Sequence, residues 1–134
     1  MKLGIVGSRR SNEKQKLLLL IILDVCYLFC QDIIDITLVS GGCYKGADKW
    51  VEEYAKTTKR KITIYKPKGT RPLDFHERNT EIVKNIDCLV ATLPPNPNPK
   101  RFAGTEQTVR EAIQKKLPVI LIDFEGKFHK YNVD

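Results

Sequence analysis

The stretch Leu38-Val39-Ser40-Gly41-Gly42-Cys43-Tyr44-Lys45-Gly46-Ala47-Asp48 decides the fold of this chain. It runs from an apolar strand through a double glycine into the start of a helix. Glycines let the backbone turn sharply and approach a ligand, and a helix N-terminus directs free N–H groups at an anion. The stretch therefore predicts a phosphate cradle. Gly7-Ser8-Arg9-Arg10, after the first apolar segment, is a similar turn with two guanidinium groups added.

The composition indicates one globular domain over residues 1–134, with an apolar share of 42% and a charged share of 29%. The net charge of +7 favours acidic partners. The apolar run Leu17–Cys30 contains Asp24 and is shorter than the roughly 20 residues of a membrane-spanning helix, so no membrane partner is expected. The sequence has no CxxC pair, which predicts reduced thiols in a cytoplasmic protein, with no metal and no cofactor. The four cysteines are Cys26, Cys30, Cys43 and Cys88.

Strand and helix patterns alternate along the chain. The expected strands are Lys2–Val6, Asp35–Ser40, Lys61–Tyr65, Cys88–Leu93 and Leu117–Asp123, with no element predicted from Phe124 onward. The expected helices are Asn12–Gln31, one with an apolar stripe from Ala47, one with a capping box of Asp74 and Glu77, and one capped by Thr105. The alternation predicts an α/β fold: a three-layer, Rossmann-like, doubly wound and mainly parallel sheet of about five strands with helices on both faces.

Such a sheet brings four loops together, because ligands bind outside the carboxyl ends of parallel strands where the strand order reverses. These loops are 7–11, 40–46, 66–73 and 92–103. The last is rich in proline and asparagine, and is either a mobile lid or an exposed connector. The loops hold eight basic residues: Arg9, Arg10, Lys45, Lys66, Lys68, Arg71, Lys100 and Arg101.

The motifs favour a phosphorylated ligand over the common nucleotide enzymes. Neither GxGxxG nor GxxxxGK[ST] occurs, which counts against a dehydrogenase and a kinase. Arg9 beside Ser8 suits phosphate oxygens, and helix starts at two places offer positive dipole ends. Each residue also has a structural explanation, as a turn, a cap or a dipole partner. The candidate ligand residues from these turns are Gly7, Ser8, Arg9, Ser40, Gly41, Gly42, Lys45, Gly46, Asp48, Gly104 and Thr105.

Four motifs together resemble the SLOG superfamily. They are GSR after the first strand, SGG-x-x-x-GAD at the second helix, Arg78-Asn79 in the third helix and Ala103-Gly104-Thr105 before the fourth. The superfamily includes the DNA-processing protein DprA, the LOG phosphoribohydrolases and small YspA-like and YpsA-like proteins. The single-domain YspA-like branch is the most similar, with SGG-x-x-GAD one residue shorter. Over residues 2–122 the resemblance implies a Rossmann-like sheet, a nucleotide or nucleotide-derived ligand, and Asn79 among the residues that bind it.

The LOG relatives also imply a hydrolase. In these enzymes an arginine in the third helix and a glutamate in PGG-x-GT-x-x-E support cleavage of a nucleotide N-glycosidic bond. Arg78 occupies the arginine position, but Thr108 occupies the glutamate position and Lys100-Arg101-Phe102 replaces PGG. Glu106 lies two residues earlier, about 200° around a helix of roughly 100° per residue. It is therefore no direct substitute, although it could reach a ligand from a frayed helix start.

Three hypotheses follow. The first is binding or sensing of a nucleotide or nucleotide-derived ligand. The second is a nucleoside-monophosphate N-glycosidic hydrolase with Arg78 and Glu106 as catalytic residues. The third is single-stranded nucleic acid bound along the basic loops, which ranks last because Tyr44, Phe75 and Phe102 are few aromatics for base stacking. The apolar first helix and the dimers of LOG relatives also predict a homo-oligomer, such as a dimer.

Overall fold

The computed structural model describes residues 1–30 and 35–133, and shows an α/β protein with a six-stranded, mostly parallel sheet. The strands are β1 (Lys2–Gly7), β2 (Thr37–Ser40), β3 (Ile62–Ile64), β4 (Cys88–Thr92), β5 (Val119–Ile122) and β6 (Phe128–Tyr131). The helices are α1 (Glu13–Cys30), α2 (Ala47–Thr58), α3 (Pro72–Lys84) and α4 (Thr105–Gln114). Gln31, the predicted end of the first helix, lies outside the described residues.

The strand order is β3-β2-β1-β4-β5-β6, and every neighbouring pair is parallel except β5 and β6. This order is found in doubly wound dinucleotide-binding sheets, and it reverses between β1 and β4. Apolar side chains alternate between the two faces of the strands. On one face, Leu3 and Ile5 pack with α1 and α2, and on the other, Val6 and Ala91 pack with α3 and α4.

The prediction of about five strands is one short. β6 folds back antiparallel to β5 through a turn in which Asp123 Oδ1 accepts the N–H groups of Glu125 and Lys127. All four residues of β6 are exposed, so the strand lacks the alternation of apolar and polar residues that marks a half-buried strand. The sequence pattern therefore gave no sign of it.

Two predicted helix starts are wrong. Pro72, not Asp74, begins α3, because proline is already held at a helical φ and needs no N–H at the first position. Asp74 is instead the third helical residue, and its Oδ2 accepts the Arg71 N–H at 3.1 Å. In α4 the capping position belongs to Gly104, whose φ of 96° favours glycine, so Thr105 is the first helical residue and not the cap.

The start of α1 is a capping box that the sequence patterns missed. The Asn12 N–H donates to Gln15 Oε1 and the Gln15 N–H donates to Asn12 Oδ1, both at 2.9 Å. Gln15 is fully buried, and its Nε2 donates to the carbonyls of Leu93 and Ile122 at 2.8 and 2.9 Å. This side chain therefore fixes α1 to the ends of β4 and β5.

The outer face of α1 remains apolar. Its exposed large apolar side chains are Leu17, Ile21, Val25, Leu28 and Phe29, beside the exposed Asp24. The homo-oligomer expected from this helix stays a prediction. Within residues 1–30 and 35–133, no helix combines the length and apolar character needed to cross a membrane.

Candidate functional site

A cavity of about 610 Å³ opens at the carboxyl ends of β1, β2 and β4. It lies where the strand order reverses, and its volume is within the range of small-molecule sites. All four predicted loops contribute to its wall, for example through Ser8, Gly42, Thr70 and Ala103. The predicted gathering of these loops is therefore confirmed.

The first wall is the turn after β1, formed by Gly7, Ser8, Arg9 and Arg10. The Ser8 N–H donates to the Thr92 carbonyl at 3.1 Å, and the Arg10 N–H donates to Ser8 Oγ at 3.0 Å. A Cβ on Gly7 would overlap the side chain of Thr92, so the packing of β1 requires glycine here whether or not a ligand binds. The turn holds both arginines at the mouth of the cavity, where their side chains are exposed.

The second wall is the double-glycine turn, whose Gly42 and Cys43 amide groups already donate hydrogen bonds within the protein. The Gly42 N–H donates to Ser40 Oγ at 3.3 Å, and the Cys43 N–H donates to Asp48 Oδ2 at 3.1 Å. Gly41 accepts at its carbonyl from Arg78 Nη1. A Cβ on Gly41 would lie 2.7 Å from that nitrogen, so glycine lets the guanidinium group lie against the backbone. The turn therefore binds the side chains of Arg78 and Asp48, and the amides of Gly42 and Cys43 are not free to bind an anion.

Three predicted site residues do not line the cavity. Ser40 is fully buried behind the double-glycine turn. Lys45 lies with its Nζ 6.0 Å from the centre of the Tyr44 ring. Gly46 precedes α2 with a φ of 74°, and a Cβ there would overlap the Ser8 carbonyl, so its role is to let two backbones approach.

Arg78 and Asn79 join three parts of the site. Arg78 Nε donates to Asn79 Oδ1 at 2.8 Å, in addition to its bond to the double-glycine turn. Asn79 Nδ2 donates to Gln107 Oε1 at 2.9 Å and to the Gly104 carbonyl at 3.3 Å. Burial lowers the pKa of Arg78, but a guanidinium group stays charged in proteins. Its bonds use Nε and Nη1, and Nη2 has no hydrogen-bond partner among the described residues.

Asp48 lies in the first turn of α2 and is 5% exposed. One carboxylate oxygen accepts the Cys43 N–H, but the other, Oδ1, is buried with no hydrogen-bond partner in the described chain. Burial raises the pKa of Asp48 to about 6, against the opposing effects of the Cys43 amide, the charge of Arg78 and the Gly41 amide. Asp48 is therefore a poorly solvated carboxylate in the wall of the cavity.

The start of α4 forms a third wall, with Gly104, Thr105, Glu106 and Thr108. Glu106 Oε2 accepts the Asn98 N–H at 3.2 Å. Glu106 and Thr108 both line the cavity, so the two-residue displacement of the carboxylate does not remove it from the site. The hydroxyl of Thr108 donates to the Gly104 carbonyl at 3.2 Å, a bond within the helix start.

The proline- and asparagine-rich loop is tied to its neighbours. Arg110 Nη1 donates to the carbonyls of Pro99 and Arg101 at 2.7 and 3.1 Å. The Phe102 ring stacks on His76 of α3 with 4.3 Å between ring centroids. Of the two expectations, lid or connector, these contacts favour a loop fixed as part of the wall.

The charge of the cavity comes from arginines that only partly match the predicted set. Three of the eight basic loop residues line it, and Arg78 adds a fourth cation against the carboxylates of Asp48 and Glu106. The cavity thus has an excess of positive charge, which favours an anionic ligand. Lining residues absent from the predicted site set include Arg10, Cys43, Tyr44, Phe75 and Arg101. For all of these except Phe75, which lies in the first turn of α3, the position in the four loops is the available signal.

No group of three or more histidine, cysteine, aspartate or glutamate side chains in residues 1–30 and 35–133 is arranged to hold a metal ion. Comparisons of the chain with protein-family models, with curated proteins and with solved structures gave no match. A function must therefore be argued from the geometry and charge of the cavity.

Proposed function

We propose that this protein binds or senses a nucleotide or nucleotide-derived ligand in the cavity. The observation that carries the proposal is the set of four arginines, Arg9, Arg10, Arg78 and Arg101, around a cavity at the point of strand reversal. Arginine binds phosphate with paired, charge-assisted hydrogen bonds. Doubly wound sheets bind nucleotides at this place, and a Rossmann-like, three-layer arrangement is part of the proposal.

The arginines divide into an outer and an inner group. Arg9 is exposed, with its Nε 3.2 Å from Cys43 Sγ and its guanidinium carbon 5.3 Å from the centre of the Tyr44 ring. Arg78 is held deeper by Gly41 and Asn79. In this proposal the phosphate binds to the outer arginines and Nη2 of Arg78, and the exposed ring of Tyr44 offers a surface for the base.

The test is a panel of nucleotides and their nucleosides, read by thermal unfolding and calorimetric titration. A ligand at 100 times its Kd stabilises the folded protein by about 2.7 kcal/mol, which raises the Tm by about 10 °C in a domain of this size. Nucleotides should do this and the nucleosides should not. If no nucleotide changes the Tm, the proposal is wrong. Tighter binding of an oligonucleotide, with steep salt dependence, would favour the nucleic-acid hypothesis instead.

A second candidate, the hydrolase, is favoured by one observation: Arg78 and Glu106 line the same cavity. Arg78 would orient the phosphate while water replaces the base at C1′, and Glu106 would stabilise an oxocarbenium-like transition state. Glu106 would have to act while bound to the Asn98 amide and 3.9 Å from Arg101.

For the hydrolase, release of free base from nucleoside monophosphates is measured by chromatography. The Glu106→Gln variant should lower the turnover number at least about 100-fold, the usual range for loss of a group that stabilises transition-state charge. Glu125→Gln, an exposed exchange in the β5–β6 turn, is the matched control and should keep full turnover. Full turnover in Glu106→Gln would eliminate this mechanism.

A further inference from the structure

The side-chain amide of Asn79 has hydrogen-bond partners at both ends, and these partners belong to the protein. Its Oδ1 accepts from Arg78 Nε at 2.8 Å. Its Nδ2 donates to Gln107 Oε1 at 2.9 Å and to the Gly104 carbonyl at 3.3 Å, which uses both of its hydrogens. Asn79 is 4% exposed, although it lies in the cavity wall. Its amide therefore has no free donor for an anionic ligand.

The direction of these bonds is set behind the cavity wall, by Glu111 of α4. A carboxylate only accepts hydrogen bonds, and Glu111 accepts from Thr80 Oγ1 at 2.9 Å and from Gln107 Nε2. The single hydroxyl hydrogen of Thr80 is used in that bond, so its Oγ1 can only accept from Gln107 Nε2, at 3.3 Å. Gln107 is fully buried, and it must present Nε2 to these two residues and Oε1 to Asn79.

This chain of bonds ends at the guanidinium group of Arg78. Because Gln107 presents an oxygen, Asn79 presents Nδ2 to Gln107 and its own Oδ1 to Arg78. The guanidinium group is then fixed at two of its three nitrogens, Nε by Asn79 and Nη1 by the Gly41 carbonyl. Nη2 has no hydrogen-bond partner among the described residues, and Arg78 lines the cavity. A side chain that is fixed in advance loses less conformational freedom when it binds a ligand.

We propose that Asn79 and Gln107 are positioning residues, which direct Nη2 of Arg78 at the phosphate of the bound nucleotide and do not contact the nucleotide themselves. This inference rests on the proposed nucleotide binding. A reversed amide at Gln107 would place its N–H groups against those of Asn79, so that two donors would face each other in a buried place. Gln107 does not line the cavity, so its effect on a ligand passes through Asn79.

The experiment is a double-mutant cycle on affinity, measured by calorimetric titration with whichever of AMP, GMP, CMP and UMP binds most tightly. Asn79→Ala should weaken binding about 5-fold, because Arg78 loses one of the bonds that fix it. In the Arg78→Met background the same change should weaken binding less than about 2-fold, since no guanidinium group is left to position. Gln107→Leu should also weaken binding in the wild-type background and have no further effect in Arg78→Met.

A spectroscopic measurement follows the orientation of Arg78 without ligand. Its Nε–H resonance, assigned by its absence in Arg78→Met, should exchange with solvent at least about 10-fold more slowly in the wild type than in Asn79→Ala. Thr80→Val is the matched control at the next residue of α3. It removes a hydrogen bond of the same network but leaves Gln107 bound to Glu111, so it should lower stability and keep both the affinity and the slow exchange.

The outcomes separate this inference from the function on which it rests. If no nucleotide binds the wild type, both are wrong. If a nucleotide binds and Asn79→Ala weakens it equally with and without Arg78, then Asn79 contacts the ligand itself and the positioning inference alone is wrong. Unchanged affinity in Asn79→Ala, or an equal loss in Thr80→Val, also contradicts it. If Asn79→Ala does not fold, the wild type decides: exchange of the Arg78 Nε–H as fast as that of the exposed Arg10 would refute the inference.

Discussion

Gln15 and Asp48 occupy matching places in the fold and have opposite hydrogen bonding. Each is a buried polar residue in the first turn of a helix on the same face of the sheet. Gln15 satisfies both ends of its amide, with Nε2 bound to two carbonyls and Oε1 to an amide. Within residues 1–30 and 35–133, Oδ1 of Asp48 makes no hydrogen bond of standard geometry. The difference separates a side chain that holds the fold from one whose burial opposes folding.

The largest effect should come from replacing Gln15, the side chain whose hydrogen bonds are complete. Gln15→Leu makes the side chain apolar at a similar size. It removes the donor to the Leu93 carbonyl, one of the two donors to the Ile122 carbonyl and the acceptor of the Asn12 amide. Because the groups stay buried, we expect the free energy of unfolding to fall by about 4 kcal/mol. Urea unfolding measures this. Gln114→Leu, at the exposed end of α4, is the control and should change stability by less than about 0.5 kcal/mol.

If Gln15→Leu unfolded at the same urea concentration as the wild type, the structural role of this residue would be refuted. Ligand affinity provides a second check. Gln15 does not line the cavity, so the folded variant should keep the nucleotide affinity of the wild type.

Replacing Asp48, whose hydrogen bonding is incomplete, should raise the free energy of unfolding rather than lower it. Asp48→Asn removes a charge whose burial opposes folding, so the ligand-free variant should be more stable than the wild type by about 2 kcal/mol at pH 7. Thermal unfolding without ligand measures this difference. A less stable ligand-free variant would mean that the Cys43 bond outweighs the burial of charge.

The pH dependence of this difference has a definite direction. The ordinary pKa of the carboxyl is 3.8 and burial raises the pKa of Asp48 to about 6, so the folded protein holds the proton more tightly than the unfolded chain. The free-energy cost of burying the ionised carboxylate is absent below about pH 4, grows up to about pH 6 and is complete above it. From the shift in pKa this cost is about 3 kcal/mol, before subtracting the hydrogen bond that Asn at this position would lose. The stability advantage of Asp48→Asn should therefore shrink as the pH falls from 7 to 4. A constant advantage would contradict the raised pKa.

The smallest effect should come from changing the neighbour of Asp48 while keeping its charge. Arg78→Lys loses the bonds to the Gly41 carbonyl and Asn79 Oδ1, because an ammonium group cannot reproduce the planar guanidinium fork. We expect about a 10-fold loss of nucleotide affinity by calorimetry. Lys84→Arg, the reverse exchange on the exposed end of α3, should leave the affinity unchanged. Equal affinities in both variants would mean that Arg78 acts through charge alone.

The sequence predicts the site best where the direction of the strands alone decides which loops come together. Parallel strands carry Ser8, Gly42 and Ala103 to one edge of the sheet whatever the details of the side chains. It predicted worst where long-range contacts decide. The sequence predicts a free anion cradle at the double-glycine turn, but the Gly42 and Cys43 amides donate to Ser40 and Asp48, and no local sequence pattern indicates these bonds.

The missed strand and helix starts have local causes. β6 is exposed on both faces, so its side chains carry no pattern of burial. The capping-box motif predicts that α3 starts at Asp74, whereas Pro72 favours the earlier start that the structure shows. In α4 the glycine before Thr105 serves as the cap through its positive φ, a property that the sequence pattern of hydroxyl caps does not include.

The return of β6 along β5 also has a practical consequence. Tyr131 lies opposite Val119, the first residue of β5, and Lys2 begins the parallel strand β1. Both ends of the described chain therefore reach the edge of the sheet opposite the cavity. A tether added at either end would fix the protein to a sensor surface with its cavity facing the solution, so that binding kinetics can be recorded without blocking the entrance.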